Sequence, residues 1–256
     1  MVNNNDLEKL NSKWNVNTLR FTLFPSQPYS INEESWKKIF GNPPDSYSHN
    51  IKNNKRHYEG EFGNGVMNLD LTPMRVDFNY VPKSSVPPSG MFDLSLGPVE
   101  EVAQEFIFSM NKFLEIKDCP FAQRIAFAPS YFMPTETRMS GYKLLDKYLP
   151  KVEIDPENSS DFLYQINRAR ESKVVNHLLI NRLTKWRVVQ YQSIIPQNMK
   201  GVHLELSTNK EYSLSLEMDI NSQANYKQEF DLETQRKLFN EFIELSREIL
   251  SSGDVS

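Results

Sequence analysis

The hydrophobic residues of the first half of the chain follow the period of strands and then the period of a helix. Residues 19–24 predict a short strand, and residues 57–63, 66–71 and 75–80 alternate between apolar and polar side chains, which predicts antiparallel strands with one buried face. An apolar side at residues 32–40 predicts a short helix, and residues 41–55, rich in Asn, Pro, Ser and Lys, are expected to form an exposed loop. From Pro98 the apolar period becomes 3.6, which predicts a helix of about 18 residues.

The second half of the chain has the same order of patterns. Strands are predicted at residues 124–132, 161–168, 202–207 and 212–220, and most of residues 177–194 is β-prone. A short helix is expected at residues 139–149. The last apolar stripe predicts a long helix over residues 232–250, for which Asp231 is a suitable N-cap.

These patterns together predict an α+β protein built from two pseudo-repeated halves. Each half has the order strand, short helix, antiparallel strands, and long amphipathic helix packed on the sheet. Residues 92–96 add a further strand to the first half. We expect the units to be residues 1–118 and 119–256, which form either two domains or one continuous domain.

The clearest predicted hairpin is in the first half. The dipeptide Asn64-Gly65 is a favoured two-residue hairpin turn. This turn pairs Phe62 with Met67 and Tyr58 with Leu71, which places the apolar residues on one face. The sequence therefore predicts both the hairpin and its register.

A second hairpin is predicted between the last two strand segments, through a three-residue loop at residues 208–210. This loop pairs Leu206 with Tyr212 and Val202 with Leu216, so that apolar residues share one face. A two-residue loop would break that pattern, and the longer loop is therefore expected.

Both predicted hairpins begin with His-x-Glu and have acidic residues on the same face of the partner strand. In the first hairpin these residues are His57, Glu59 and Asp70. An imidazole beside two or three carboxylates is suited to divalent metal binding or acid–base catalysis, although solvated sheet faces often carry the same residue types. The candidate metal ligands, in the second hairpin, are His203, Glu205, Glu217 and Asp219.

A basic segment at residues 164–187 is the second candidate site. It has six basic residues and only Glu171 as an acidic one. With Tyr164 and Trp186 it is suited to phosphate contacts and base stacking, but basic segments also serve solubility or bind acidic protein partners. The candidate binding residues are Arg168, Arg170, Lys173, Arg182, Lys185, Trp186 and Arg187.

Composition and motifs restrict the functional classes. The 256 residues carry a net charge of -4, which argues against broad nucleic-acid binding. The single cysteine, Cys119, excludes a disulfide framework and favours a reducing compartment. No signal peptide, membrane-spanning run or common catalytic motif is recognised in the sequence. We therefore expect a cytoplasmic protein without cofactor or membrane association, and do not favour an enzyme.

The sequence LEMDIN at residues 216–221 leads through a polar loop into the last predicted helix. In this feature the chain resembles a sporadically distributed family of uncharacterised bacterial proteins of about 250 residues, in which a late strand with an aspartate precedes a C-terminal helix. Such families are often carried on mobile or defence-associated islands. The resemblance implies an accessory role in conflict with phage or plasmids, and it implies no catalytic residues.

Four functional hypotheses remain open at this point. The leading one is a non-enzymatic binding or regulatory protein that acts through a protein partner or as a homodimer, because paired long helices and an open sheet face suit such contacts. The alternatives are nucleic-acid binding through the basic segment, a metal-dependent hydrolase that uses the His-x-Glu faces, and small-ligand binding beneath the helices.

Overall fold

A computed structural model describes residues 14–83, 95–197 and 203–253 of the chain. The strands are β1 (Asn15–Pro25), β2 (Ser46–Asn50), β3 (Lys55–Phe62), β4 (Gly65–Thr72), β5 (Arg75–Pro82), β6 (Gly97–Pro98), β7 (Ala122–Thr135), β8 (Leu163–Asn167), β9 (Arg170–Glu171), β10 (Leu179–Gln197) and β11 (His203–Ser222). The helices are α1 (Glu33–Phe40), α2 (Val99–Glu115), α3 (Arg138–Tyr148) and α4 (Leu232–Ser252). Most of the strand predicted at residues 92–96 lies outside the described residues.

All the described strands belong to one antiparallel sheet. Their order is β2-β3-β4-β5-β1-β7-β11-β10-β8, with β6 beside β1 and β9 beside β10. The prediction of two pseudo-repeated α+β halves is therefore wrong, because one sheet of eleven described strands runs through both halves. The reason is that β1 and β7, from opposite halves, pair along their length, with Phe21 opposite Phe127. The boundary between residues 118 and 119 falls in the loop before β7, and as a domain boundary it stays a prediction.

The predicted helices are confirmed close to their expected bounds, because local signals define their ends. The Asn32 side chain accepts a hydrogen bond from the Ser35 backbone N–H at 2.9 Å and caps α1. Asp231 caps α4 in the same way, through the Thr234 backbone N–H at 2.8 Å. These caps depend on residues three positions apart, so the sequence alone could predict them.

The helices cover one face of the sheet and bury it as the core. Phe21 at the centre of β1 illustrates this packing: its ring centroid lies 4.8 Å from that of Phe239 in α4 and 6.4 Å from that of Phe113 in α2. Toward the sheet edges, Trp36 of α1 stacks on Tyr58 of β3. The opposite face carries no described helix, and we call it the open face.

The first hairpin forms, but its predicted register is wrong by two residues. Phe62 lies opposite Gly65, so the turn consists of Gly63 and Asn64. Gly63 has a φ of +48°, which glycine adopts readily. Gly65 belongs to the strand, where a Cβ atom would lie 2.3 Å from the Val81 carbonyl oxygen. A shift of two residues keeps every side chain on its face, so the hydrophobic pattern could not detect it.

The second predicted hairpin does not form. β11 is one continuous strand, and its partner is β10: Leu206 lies opposite Ile194, and Leu216 lies opposite Trp186. Residues 207–209 form an irregularity in this pairing instead of a turn, and Val202 lies outside the described residues. The predicted exposed loop at residues 41–55 also contains a strand, β2, whose five residues are all exposed.

Candidate functional site

The centre of the open face is locally basic in an otherwise acidic protein. It is formed by the side chains of β5, β1, β7, β11 and β10 that point away from the helices. The basic residues of this surface are Arg20, Arg75, Arg124, Lys185 and Arg187. The acidic ones are Asp77, Glu217 and Asp219, with Glu211 farther along β11 on the same face. Because the whole chain has a net charge of -4, an anionic group is attracted to this surface more than to the rest of the molecule.

Two of these arginines flank Phe24 and are fixed by hydrogen bonds. The guanidinium carbons of Arg75 and Arg124 lie 5.4 and 5.2 Å from the Phe24 ring centroid, within the range of cation–π contacts. Arg75 donates to both Asp77 carboxylate oxygens, at 2.6 and 2.9 Å, and these hydrogen bonds raise the pKa of Arg75. Arg124 donates to the Asn221 side-chain oxygen at 2.8 Å.

Arg20 differs from these two because its guanidinium makes no hydrogen bond within the described residues. Its Nη2 lies 3.7 Å from Asp219 Oδ2, which is beyond hydrogen-bond distance. Its Nε is buried and has no acceptor, while the side chain as a whole remains 38% exposed. The nearby Asp219 carboxylate accepts a hydrogen bond from Asn221 Nδ2 at 2.7 Å. The Arg20 side chain thus stays partly exposed, with an ion pair to Asp219 but no direct hydrogen bond to a described residue.

Lys185, Arg187 and Glu217 form a second charged group on the open face. The Lys185 Nζ lies 3.3 Å from one Glu217 oxygen, and Arg187 Nη2 donates to the other. Arg187 Nε is buried without an acceptor in the described part of the chain. One carboxylate therefore serves two cations, which leaves positive charge in excess.

The predicted basic segment does not form one surface. Lys185 and Arg187 lie on the open face, whereas Arg170 and Arg182 turn toward α4 on the other face. Arg170 binds Glu248 through both terminal nitrogens, at 2.8 and 2.7 Å. This separation follows from the alternation of side chains along β10.

The other three residues of the predicted segment have structural contacts as well. The Arg168 carbonyl accepts a hydrogen bond from Arg182 Nε at 2.9 Å, and the backbone N–H of the exposed Lys173 donates to Glu241 at 2.7 Å. Trp186 has no solvent exposure, because its ring stacks on Tyr148 with centroids 5.3 Å apart. The prediction that Trp186 stacks on a nucleic-acid base is therefore wrong.

The four candidate metal ligands cannot bind one ion. Glu205 and Glu217 are twelve residues apart in the single strand β11, which corresponds to about 40 Å at about 3.3 Å per residue. His203 lies farther still, while Glu217 and Asp219 are next to cations. Among the described residues, no group of three His, Cys, Asp or Glu side chains has the geometry of a metal site. The prediction is wrong because it depended on the second hairpin.

The first His-x-Glu face does assemble as predicted. His57 lies directly opposite Asp70, and its Nδ1 is 3.2 Å from the Asp70 carboxylate. Glu59 Oε2 is 3.9 Å from the other ring nitrogen. The ammonium group of Lys55 lies 3.1 Å from the same Asp70 oxygen, so that a side-chain cation already neutralises this carboxylate.

Cys119, the single cysteine of the chain, is buried. Its side chain is 5% exposed, and burial raises the pKa of its thiol to about 12. Because the thiolate is the nucleophilic form, this cysteine is inert at neutral pH.

Sequence reasoning did not select Arg20, Arg75 or Arg124 as site residues. The available signal was the position of each at a polar site within a strand pattern. That signal identifies the face but not the neighbours, because β1, β5 and β7 are distant in sequence.

Comparisons with known proteins assign no family to this chain. No protein-family model matches it, and a search of curated proteins found no significant relative. Within the described residues, no helix combines the length and the apolar composition that crossing a lipid bilayer requires.

Proposed function

We propose that this chain is a non-enzymatic binding protein that engages a protein partner through the open face. The main support is the pair of arginines, Arg20 and Arg187, whose side chains are partly exposed on a face that no described helix covers. The Arg20 guanidinium makes no hydrogen bond within the described residues, and Arg187 shares the Glu217 carboxylate with Lys185, so both guanidinium groups can bind a carboxylate of a partner. The local excess of positive charge fits a partner with an acidic surface.

A protein partner fits this face better than a nucleic acid. Glu217, Asp219 and Asp77 lie among the basic residues, and their carboxylates repel a continuous phosphate backbone. Interfaces between proteins commonly combine charges of both signs. Nucleic-acid binding through the predicted segment is less favoured, because Lys185 and Arg187 lie on the open face whereas Arg182 and the buried Trp186 face the helices.

The identity of the partner is a separate question. The first expectation is that the partner is a second copy of this chain. The second, based on the family resemblance, is that this chain is an accessory component of a bacterial anti-phage or mobile-element system and binds another protein of that system. Both stay predictions. Measurement of the particle mass in solution tests the first, because a dimer doubles the chain mass of 29.9 kDa.

The test of the proposed function compares two charge reversals. The double variant Arg20→Glu/Arg187→Glu changes the open face, and Arg236→Glu changes the outer surface of α4, where Arg236 pairs with Glu115 at 3.3 Å. A photo-crosslinking residue at position 163, on the exposed edge of the open face, reports which protein binds there.

We expect the same protein to be crosslinked by the wild type and by Arg236→Glu, and to be lost in the open-face variant. Crosslinking that is unchanged in the open-face variant would overturn the proposal. Salt-sensitive retention of single-stranded DNA or RNA, lost in the open-face variant, would replace it with nucleic-acid binding.

A further inference from the structure

Arg20 has the most incomplete set of interactions of any arginine on the open face. Arg75 and Arg124 each donate two hydrogen bonds, and Arg187 donates one, whereas the guanidinium of Arg20 donates none within the described residues. A guanidinium presents five donors in a planar fork that matches the two oxygens of a carboxylate. The unused fork of Arg20 is therefore complementary to an oxyanion.

The surroundings of Arg20 hold it ready for such a ligand. Thr22, two residues along β1, donates to Asp77 at 2.7 Å, and Asp77 in turn holds Arg75. The Asp219 carboxylate is 3.7 Å from Arg20 Nη2, and it also raises the pKa of Arg75, which places it within electrostatic range of both cations. The side chains around Arg20 are thus fixed by contacts of their own.

Asp219 has a second role in this arrangement. Its carboxylate is close enough to attract Arg20 but too far away to satisfy its donors. Asn221 holds the Asp219 carboxylate at 2.7 Å. An incoming carboxylate consequently competes with Asp219 for Arg20, and removal of the Asp219 charge frees the guanidinium.

We propose that Arg20 binds a side-chain carboxylate of an acidic protein segment and that Asp219 is its internal competitor. This inference rests on the proposed function, because it names the chemistry by which the open face recognises its partner. It assigns opposite effects to two residues that lie next to each other. A general electrostatic attraction gives the same two signs, but it predicts no weakening in Arg20→Lys, which keeps the charge and loses the planar fork.

The test uses the full-length protein and a fluorescently labelled octaglutamate peptide at low ionic strength. Arg20→Gln is expected to weaken binding about tenfold, because a charge-assisted bidentate contact is lost. Arg20→Lys is expected to weaken it less, since the charge remains without the planar fork. Asp219→Asn is expected to strengthen binding several-fold. The matched controls on α4 are Arg236→Gln and Glu244→Gln, both at exposed ion pairs.

A direct readout is the NMR signal of the Arg20 Nε–Hε group, which is expected to shift when the peptide is added. The inference is overturned if Arg20→Gln weakens binding no more than Arg236→Gln, or if Asp219→Asn strengthens it no more than Glu244→Gln. Tighter binding of a single-stranded oligonucleotide than of the peptide would also overturn it. A crosslinked partner that is lost in the Arg20→Glu/Arg187→Glu variant but kept in Arg20→Gln would leave the proposed function standing and remove this inference.

Discussion

Arg170 and Glu248 form a bidentate ion pair, with nitrogen–oxygen distances of 2.8 and 2.7 Å, that joins the edge strand β9 to the C-terminal half of α4. Arg182 extends this pair from β10: its side chain is only 5% exposed, and its Nη1 lies 4.0 Å from the same carboxylate. Glu248 therefore neutralises two cations at the contact between sheet and helix. Arg170 and Arg182, two of the basic residues that the sequence predicts to bind a ligand, therefore hold α4 against the sheet.

Glu248→Gln is expected to lower the free energy of unfolding by about 2 kcal/mol, because Arg170 loses a bidentate charged partner and the buried Arg182 loses the negative charge that lies 4.0 Å away. The partial exposure of Glu248 keeps the loss below that of a fully buried pair. Urea unfolding measures the change. Glu244→Gln, at an exposed pair with Arg247, is the control and is expected to cost less than about 0.5 kcal/mol. Equal losses in the two variants would contradict the structural role of Glu248.

The same carboxylate predicts an acid-dependent loss of stability. Hydrogen bonds from Arg170 lower the pKa of Glu248 below its ordinary value of 4.5. The unfolded chain then binds the proton more readily, so this stabilisation is complete above the ordinary pKa and is lost as the pH falls through the lowered one. When unfolding is measured between about pH 6 and about pH 3, the free energy of unfolding is expected to decrease less in Glu248→Gln than in the wild type. Identical pH profiles would argue against the predicted linkage.

Gly65→Ala tests the observed register of the first hairpin. An added Cβ would lie 2.3 Å from the Val81 carbonyl oxygen and 2.4 Å from Leu96 Cδ2, and we expect a loss of about 2 kcal/mol from overpacking. Gly41→Ala is the comparison, since Gly41 has a φ of +88° but open space around it, and a cost of about 1 kcal/mol is expected. Thermal or urea unfolding ranks the two. If Gly65→Ala lowers the free energy of unfolding less than Gly41→Ala does, residue 65 lies in the turn and not in the strand.

The Cys119 thiol is expected to be unreactive in the folded protein. Its pKa of about 12 leaves about 10⁻⁴ of the thiol ionised near pH 8, and its side chain is buried. A chromogenic disulfide reagent should therefore react slowly with the native protein and rapidly after denaturation in urea. Cys119→Ser gives the background, because the chain has no other cysteine. Fast reaction of the native protein would mean that the segment around Cys119 opens readily.

The helices and the faces of the strands could be predicted from the sequence because both depend on near neighbours. Asn32 and Asp231 cap helices through backbone groups three residues away, and the alternation of Val76, Phe78 and Tyr80 identifies the buried face of β5 directly. These features arise from local hydrogen bonds and from the period of the strand. Strand faces were correct even in the hairpin whose register was wrong.

Strand partners and the open-face site were decided only by the tertiary structure. A shift of two residues leaves the hydrophobic pattern unchanged, so nothing local separates the predicted pairing of Phe62 with Met67 from the observed one with Gly65. Arg20 meets Asp219 because β7 pairs with both β1 and β11, which are far apart in the chain. The sequence by itself determined which side chains are polar and which face each occupies. Only the order of strands in the sheet, set by packing of the whole core, decided which charges become neighbours.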